Sequence, residues 1–164
     1  MSELIAYEDA VDLLDADHKL IKKMFIEYSV LVEDEGSGNA KRAVALRICN
    51  ALTVHTGIEE EIFYPEVRKF IRDDPLMDAA LQEHAEAKTL IAELVGMKTV
   101  DGKHDGLVKK LGAAIDEHVL EEREQIFLKA RYAPMDLKAL VIPLLARKQK
   151  LSKKSGQKSA KEAT

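Results

Sequence analysis

Six polar residues stand on helical faces that are otherwise apolar, and their placement constrains the fold more than any other feature. Leu14, His18, Ile21, Phe25, Tyr28 and Val32 recur at alternating steps of four and three, so one side of a helix carries them all. A second stripe holds Ile48, Leu52, His55, Glu59 and Ile62, and a third Met77, Leu81, His84 and Ile91. The fourth holds Leu107, Leu111, Ile115, His118, Glu122 and Ile126. Such a stripe is the face a helix turns to a core. One histidine on it reads as a core residue with a satisfied hydrogen bond. Four histidines, one per helix, with two glutamates beside them, read differently. Buried carboxylates are rare unless paired or bound to metal. Burying six polar groups together is costly unless something satisfies them, and a metal centre satisfies all six at once.

Turn signals divide the chain into helices over about residues 7–32, 40–71, 75–97 and 106–130. Glycines cluster at Gly36 and Gly38 and again at Gly102 and Gly106. Pro65 should kink or locally end the second helix. Asp73 and Asp74 before Pro75 fit an N-cap followed by proline in the first turn. Val and Ile form no alternating runs, so strands are not expected. The expected fold is all-α, an up-down-up-down four-helix bundle. A short fifth helix over about 135–146 caps one end or side, or forms a homodimer contact. The bundle domain takes residues 1–146. Residues 147–164 carry seven Lys/Arg against one Glu and little apolar content, and are expected to form a basic, disordered tail. No aromatic residue interleaves those lysines, which argues against nucleic acid as a partner.

Spacing supports a shared metal site. In His-x-x-x-Glu the two side chains lie about 40° apart around the helix and about 6 Å apart along it, so both reach one ion or two adjacent ones. His55/Glu59 and His118/Glu122 are two such pairs. His18 and His84 would complete the ligand set from the other helices. Imidazole with carboxylate suits iron, zinc or manganese, and the lack of thiolates argues against copper(I) and iron–sulfur clusters. A structural zinc uses four ligands, not six. Two carboxylates that bridge two metals favour a di-iron or di-manganese centre. His104, in the glycine-rich turn, is expected on the surface. Cys49 reads as a buried or half-buried structural residue, Tyr64 as packing beside Pro65, and Tyr28 as core. Lys88 reads as a lysine reaching solvent, or as a cation beside the site.

The order His, His-x-x-x-Glu, His, His-x-x-x-Glu resembles the hemerythrin-like HHE domain. The flanking text agrees: DADHKLIKKMF, HTGIEEEIFYP, LQEHAEAK and HVLEEREQIF. The resemblance covers about residues 8–130. It implies a non-haem di-iron site in which His18 and His55 bind one iron and His84 and His118 the other. Glu59 and Glu122 would bridge them with an oxo or hydroxo group. One departure matters. Oxygen-carrying hemerythrins place two histidines four apart on the third helix, whereas here Ala80 and Lys88 flank His84 at that spacing. The implied function is binding or sensing of oxygen, nitric oxide or iron and redox state, with an enzyme that removes peroxide or nitric oxide as the alternative. The first fifteen residues show no basic region followed by an apolar run, and no stretch approaches a spanning length. A cytoplasmic protein without membrane contact is expected.

Overall fold

Asp9 opens the first helix by accepting the Asp12 backbone N–H at 2.9 Å, and α1 then runs Ala10–Glu33. The computed structural model describes residues 7–162, with side chains described through Ser155. α1 ends where Glu35 takes a left-handed φ of 53° and the Gly36 N–H bonds the Leu31 carbonyl at 2.8 Å. A Cβ on Gly36 would come within 2.9 Å of the Leu31 side chain, so glycine is the residue that fits this return. Ser37 caps α2, Gly38–Ile58. A π-helical turn, Glu59–Phe63, leads into α3, Tyr64–Phe70, without a break in the rod. Pro65 lies in the first turn of α3, where its missing donor is best tolerated, and the expected distortion takes the form of the π turn just before it. Asp73 caps α4, Asp74–Gly96, with Pro75 in its first turn. α5 spans Gly102–Glu121, a second π turn Glu122–Phe127, and α6 Leu128–Tyr132.

The result is all-helical among the described residues. α1 packs on α2 and α5, and α4 packs on the same two, so four rods close a ring. The interior divides into two apolar clusters. One holds Leu13, Leu14, Ile58, Phe63, Val67, Met77, Ile126 and Phe127, and the other Ile21, Ile48, Leu52, Leu90, Leu111 and Ile115. α1 and α4 begin in the first cluster and end in the second, while α2 and α5 begin in the second and lead back to the first. The four stripe histidines fall at the changeover on every rod. A polar layer is therefore clamped between two dry halves, and the halves supply the stability that the layer does not.

Two expectations fail. α5 begins at Gly102, not near Gly106, because Asp101 accepts the backbone N–H groups of Lys103 and His104 at 3.0 and 3.2 Å. His104 thus lies in the first turn of a helix and is buried, 1% exposed, not on the surface. The Tyr28 hydroxyl donates to Asp105 Oδ1 at 2.7 Å and sits 2.6 Å from His104 Nδ1, whose N–H donates to it. Lys41 holds the other Asp105 oxygen at 3.1 Å. Burial, aided by Arg42 and Lys41, pushes His104 below its ordinary 6.5 and favours this neutral form. Tyr28 therefore serves this far-end network, away from the polar layer.

The second failure concerns the C-terminus. α7 spans Val141–Glu162, so the basic segment is helical as far as Glu162 and no helix ends near Ala146. Residues 137–140 form turns, and Pro143 falls in the first turn of α7 and not near its end, which sets where the helix can start. The disorder expectation weighed the apolar content of residues 147–164 alone. The helix instead continues from an apolar start anchored by fully buried Leu144, and it lies along α2. Leu151 packs over Gly57, where an added Cβ would meet it at 2.9 Å. Arg147 pairs with Glu61, and Ser155 bonds Asn50 at 2.9 Å. No helix among the described residues is long and apolar enough to cross a membrane.

Leu111 is fully buried in the second cluster, whereas Ile142 is 78% exposed. Leu111→Ala should lower unfolding free energy by about 2–5 kcal/mol in urea titrations. Ile142→Ala should stay within about 0.5 kcal/mol of the parent.

Candidate metal centre

Three of the four stripe histidines are held at both ends of the ring. His55 Nδ1 donates to Asp17 Oδ2, His84 Nδ1 to Glu60 Oε2 and His118 Nδ1 to Glu83 Oε1, all at 3.0 Å. His18 Nδ1 lies 3.5 Å from Asp15, too far for a good bond, and is otherwise unpartnered. A proton fixed on Nδ1 leaves a lone pair on Nε2. The Nε2 atoms are the ones that converge. His18 and His55 bring theirs to 3.1 Å, and so do His84 and His118. In the second pair both nitrogens present lone pairs, an arrangement that repels unless a cation lies between them.

The two glutamates complete the picture. Glu59 and Glu122 are 0% and 1% exposed. Glu59 Oε1 lies 3.1 Å from His55 Nε2 and 3.4 Å from His84 Nε2, reaching both pairs with one oxygen. Glu122 reaches both with two, Oε1 to His18 at 3.1 Å and Oε2 to His118 at 3.2 Å. Yet both oxygens of Glu59 and Oε1 of Glu122 make no hydrogen bond despite burial. Fully buried carboxylate oxygens without a donor are expensive. The geometry resolves into two groups, His18–His55–Glu59–Glu122 and Glu59–His84–His118–Glu122, each with ligand atoms within 4.8 Å of one another. Two ligands set about 2.1 Å from one ion at right angles are about 3 Å apart, close to the nitrogen spacings found here. The donor set and the orphaned oxygens both fit a pair of cations.

Electrostatics point the same way. Burial pushes His55 down, but the carboxylates of Glu59 and Asp17 outweigh it and hold the imidazole well above its usual range. Burial likewise opposes the charge on His118, while Glu122, Glu59 and Glu83 raise it to about 9. Burial alone would raise Glu122, but the imidazoles of His118 and His18 beside it keep its carboxyl well below the ordinary value. The pocket is one that wants positive charge.

Sequence reasoning missed Tyr64. It is 1% exposed, its hydroxyl donates to Glu122 Oε2 in a short bond, and its ring stacks on His84 at 5.4 Å. In a straight α-helix, five steps from Glu59 end about 140° away, off the stripe. Here the Tyr64 N–H bonds the Glu59 carbonyl across the π turn, which takes fewer degrees per residue and returns Tyr64 to the glutamate's side. The second π turn does the same for Phe127, which stacks on His18 at 5.7 Å. The signal was in the text: HTGIEEEIFY and HVLEEREQIF align so that Tyr64 and Phe127 match. Lys88 is exposed and donates to Glu60 Oε1 at 2.7 Å, so it acts on His84 through that acid and does not enter the centre. Cys49 is buried in the second apolar cluster.

Comparison with known proteins agrees with this geometry. The family model of the hemerythrin HHE cation binding domain matches residues 9–130. A protein of Nostoc sp. described as a DNA nickase is 23% identical over 120 residues, which is 73% of this chain and 33% of that protein. The chain thus corresponds to about a third of that relative's length. No solved structure matches the chain.

With His118 raised to about 9 in the metal-free protein, an incoming cation must displace its proton below that pH. Affinity for added metal should therefore climb as pH rises toward 9 and then level off, as read by chelator competition. The stability that the raised value lends the metal-free fold is fully present below about 6.5 and is lost as pH rises through 9. Urea midpoints of the metal-free protein should follow that course.

Proposed function

This chain belongs to the hemerythrin HHE cation binding family, and we propose that it holds two non-haem irons inside an up-down-up-down bundle and binds a small diatomic ligand or peroxide there. His18 and His55 serve one iron, His84 and His118 the other, and Glu59 and Glu122 bridge them. The observation that carries this reading is the sharing of both buried glutamates by two four-residue groups. Six nitrogen and oxygen ligands without thiolate favour iron, with manganese or zinc as weaker fits. Bound there, two irons would supply open coordination positions and one-electron redox steps.

The chain's own residues prepare that site. Asp17, Glu60 and Glu83 aim the imidazoles, and Phe63, Phe127 and Ile58 keep the first apolar half dry beside it. Ala80 and Lys88 leave His84 without a histidine four residues away, so the site has fewer protein ligands than a five-histidine oxygen carrier. Sensing of oxygen, nitric oxide or redox state therefore suits it better than bulk oxygen carriage. A second reading, removal of peroxide or nitric oxide, is favoured by the Tyr64 hydroxyl, a proton donor bonded to Glu122. The nicking of DNA named for the Nostoc protein is not carried over, since the match covers a third of that protein.

Metal analysis of the full chain after expression in iron-replete medium should return two irons, falling to one or none in His118→Ala. One zinc per chain would overturn the reading. The reduced protein should change its near-ultraviolet spectrum on exposure to oxygen or nitric oxide. If the enzyme reading holds, Tyr64→Phe should keep both irons yet slow peroxide turnover by about 10²-fold, the scale of a lost proton donor.

A further inference from the structure

Two of the three acids that bond an imidazole are themselves held by a lysine. Glu60 takes Lys88 from α4, within the four-rod ring. Asp17 differs. Its cation, Lys148, comes from α7, the helix outside the ring. Asp17 is 6% exposed and uses one oxygen for each neighbour: Oδ2 for His55 Nδ1 and Oδ1 for Lys148 Nζ. A cleft of about 220 Å³ between α1, α2 and α7, walled by Asp17, Lys148 and Ser152 and by apolar Leu20, Ile21 and Val54, opens beside this pair. Water is therefore at hand to take the place of Lys148 if α7 lifts away.

We propose that docking of α7 and occupancy of the metal centre are coupled through the chain Lys148–Asp17–His55, so that Lys148 is a positioning residue for His55 and α7 is the element that reports the state of the centre. The inference rests on the metal reading above. An ion on His55 Nε2 fixes the ring and keeps its Nδ1–H aimed at Asp17, which keeps the other carboxylate oxygen in place for Lys148. With the centre empty, His55 Nε2 has only the Glu59 carboxylate to hold it, a looser anchor than a coordination bond, and Asp17 is then less firmly fixed. The remaining α7 contacts, Arg147 with Glu61 and Leu151 over Gly57, hold the helix near the bundle in both states. Coupling of this kind is reciprocal: what iron adds to α7 docking, α7 docking adds to iron affinity.

Amide hydrogen exchange of α7 in the full chain, iron-loaded and iron-free, tests this. The native protein and an exposed-site control, Lys150→Met, should gain about tenfold in α7 protection on loading, the scale of lost second-layer support at metal sites. Lys148→Met should lose that gain, and chelator competition should show its iron affinity lowered by the same factor. Equal α7 exchange with and without iron in the native chain would overturn the proposal. So would an iron-dependent gain that survives in Lys148→Met, because a merely structural lysine lowers protection equally in both states. A chain that takes up no iron overturns the centre and the coupling together, and metal analysis separates that outcome from the others.

Discussion

The constraint on which the rest depends is the convergence of imidazole lone pairs on two buried carboxylates. Three of the four rings are turned by an acid at Nδ1, and all four present Nε2 inward at spacings near 3 Å. Lone pairs and carboxylate oxygens do not gather in a dry interior of their own accord. The apolar clusters on either side stabilise the bundle by hydrophobic burial, and that stability holds the polar layer in an arrangement it would not choose alone. Fold and function divide the labour along the bundle axis.

Backbone irregularity is placed where the chemistry is. Both glutamates begin π-helical turns, and both turns bring an aromatic residue onto a facing histidine. The two turns differ where it bears on chemistry: Tyr64 carries a hydroxyl where Phe127 carries none. The pseudo-symmetric centre thus has one side with a proton donor and one side without. Each turn interrupts the regular ladder of its rod at a cost that the flanking apolar packing offsets.

Charge organises the outer layer. Lys88 and Lys148 each neutralise an acid that bonds an imidazole, so the influence of the centre extends outward through single side chains. Lys88 belongs to α4, one of the four rods of the ring. Lys148 belongs to α7, which lies along α2 outside the ring, so that edge of the molecule is where the proposed coupling would be read.

The all-helical class and the positions His18, His55, Glu59, His84, His118 and Glu122 on inward faces were legible in the sequence, because helical period is local and one stripe per segment fixes which side turns inward. The Asp73 cap was legible for the same reason. Tyr64 was not, since a π turn shifts phase and a straight-helix projection carries the old phase past it. His104 was misplaced because the competition between Asp101 and a glycine as helix start is decided by hydrogen bonds, not by glycine count. The basic C-terminal segment was judged by its own composition, whereas its order comes from a groove on α2 that exists only once the bundle has formed. What sequence determined was periodicity along each helix. What tertiary structure decided was every contact whose partner lies on another element, because such contacts depend on relative placement that no local pattern encodes.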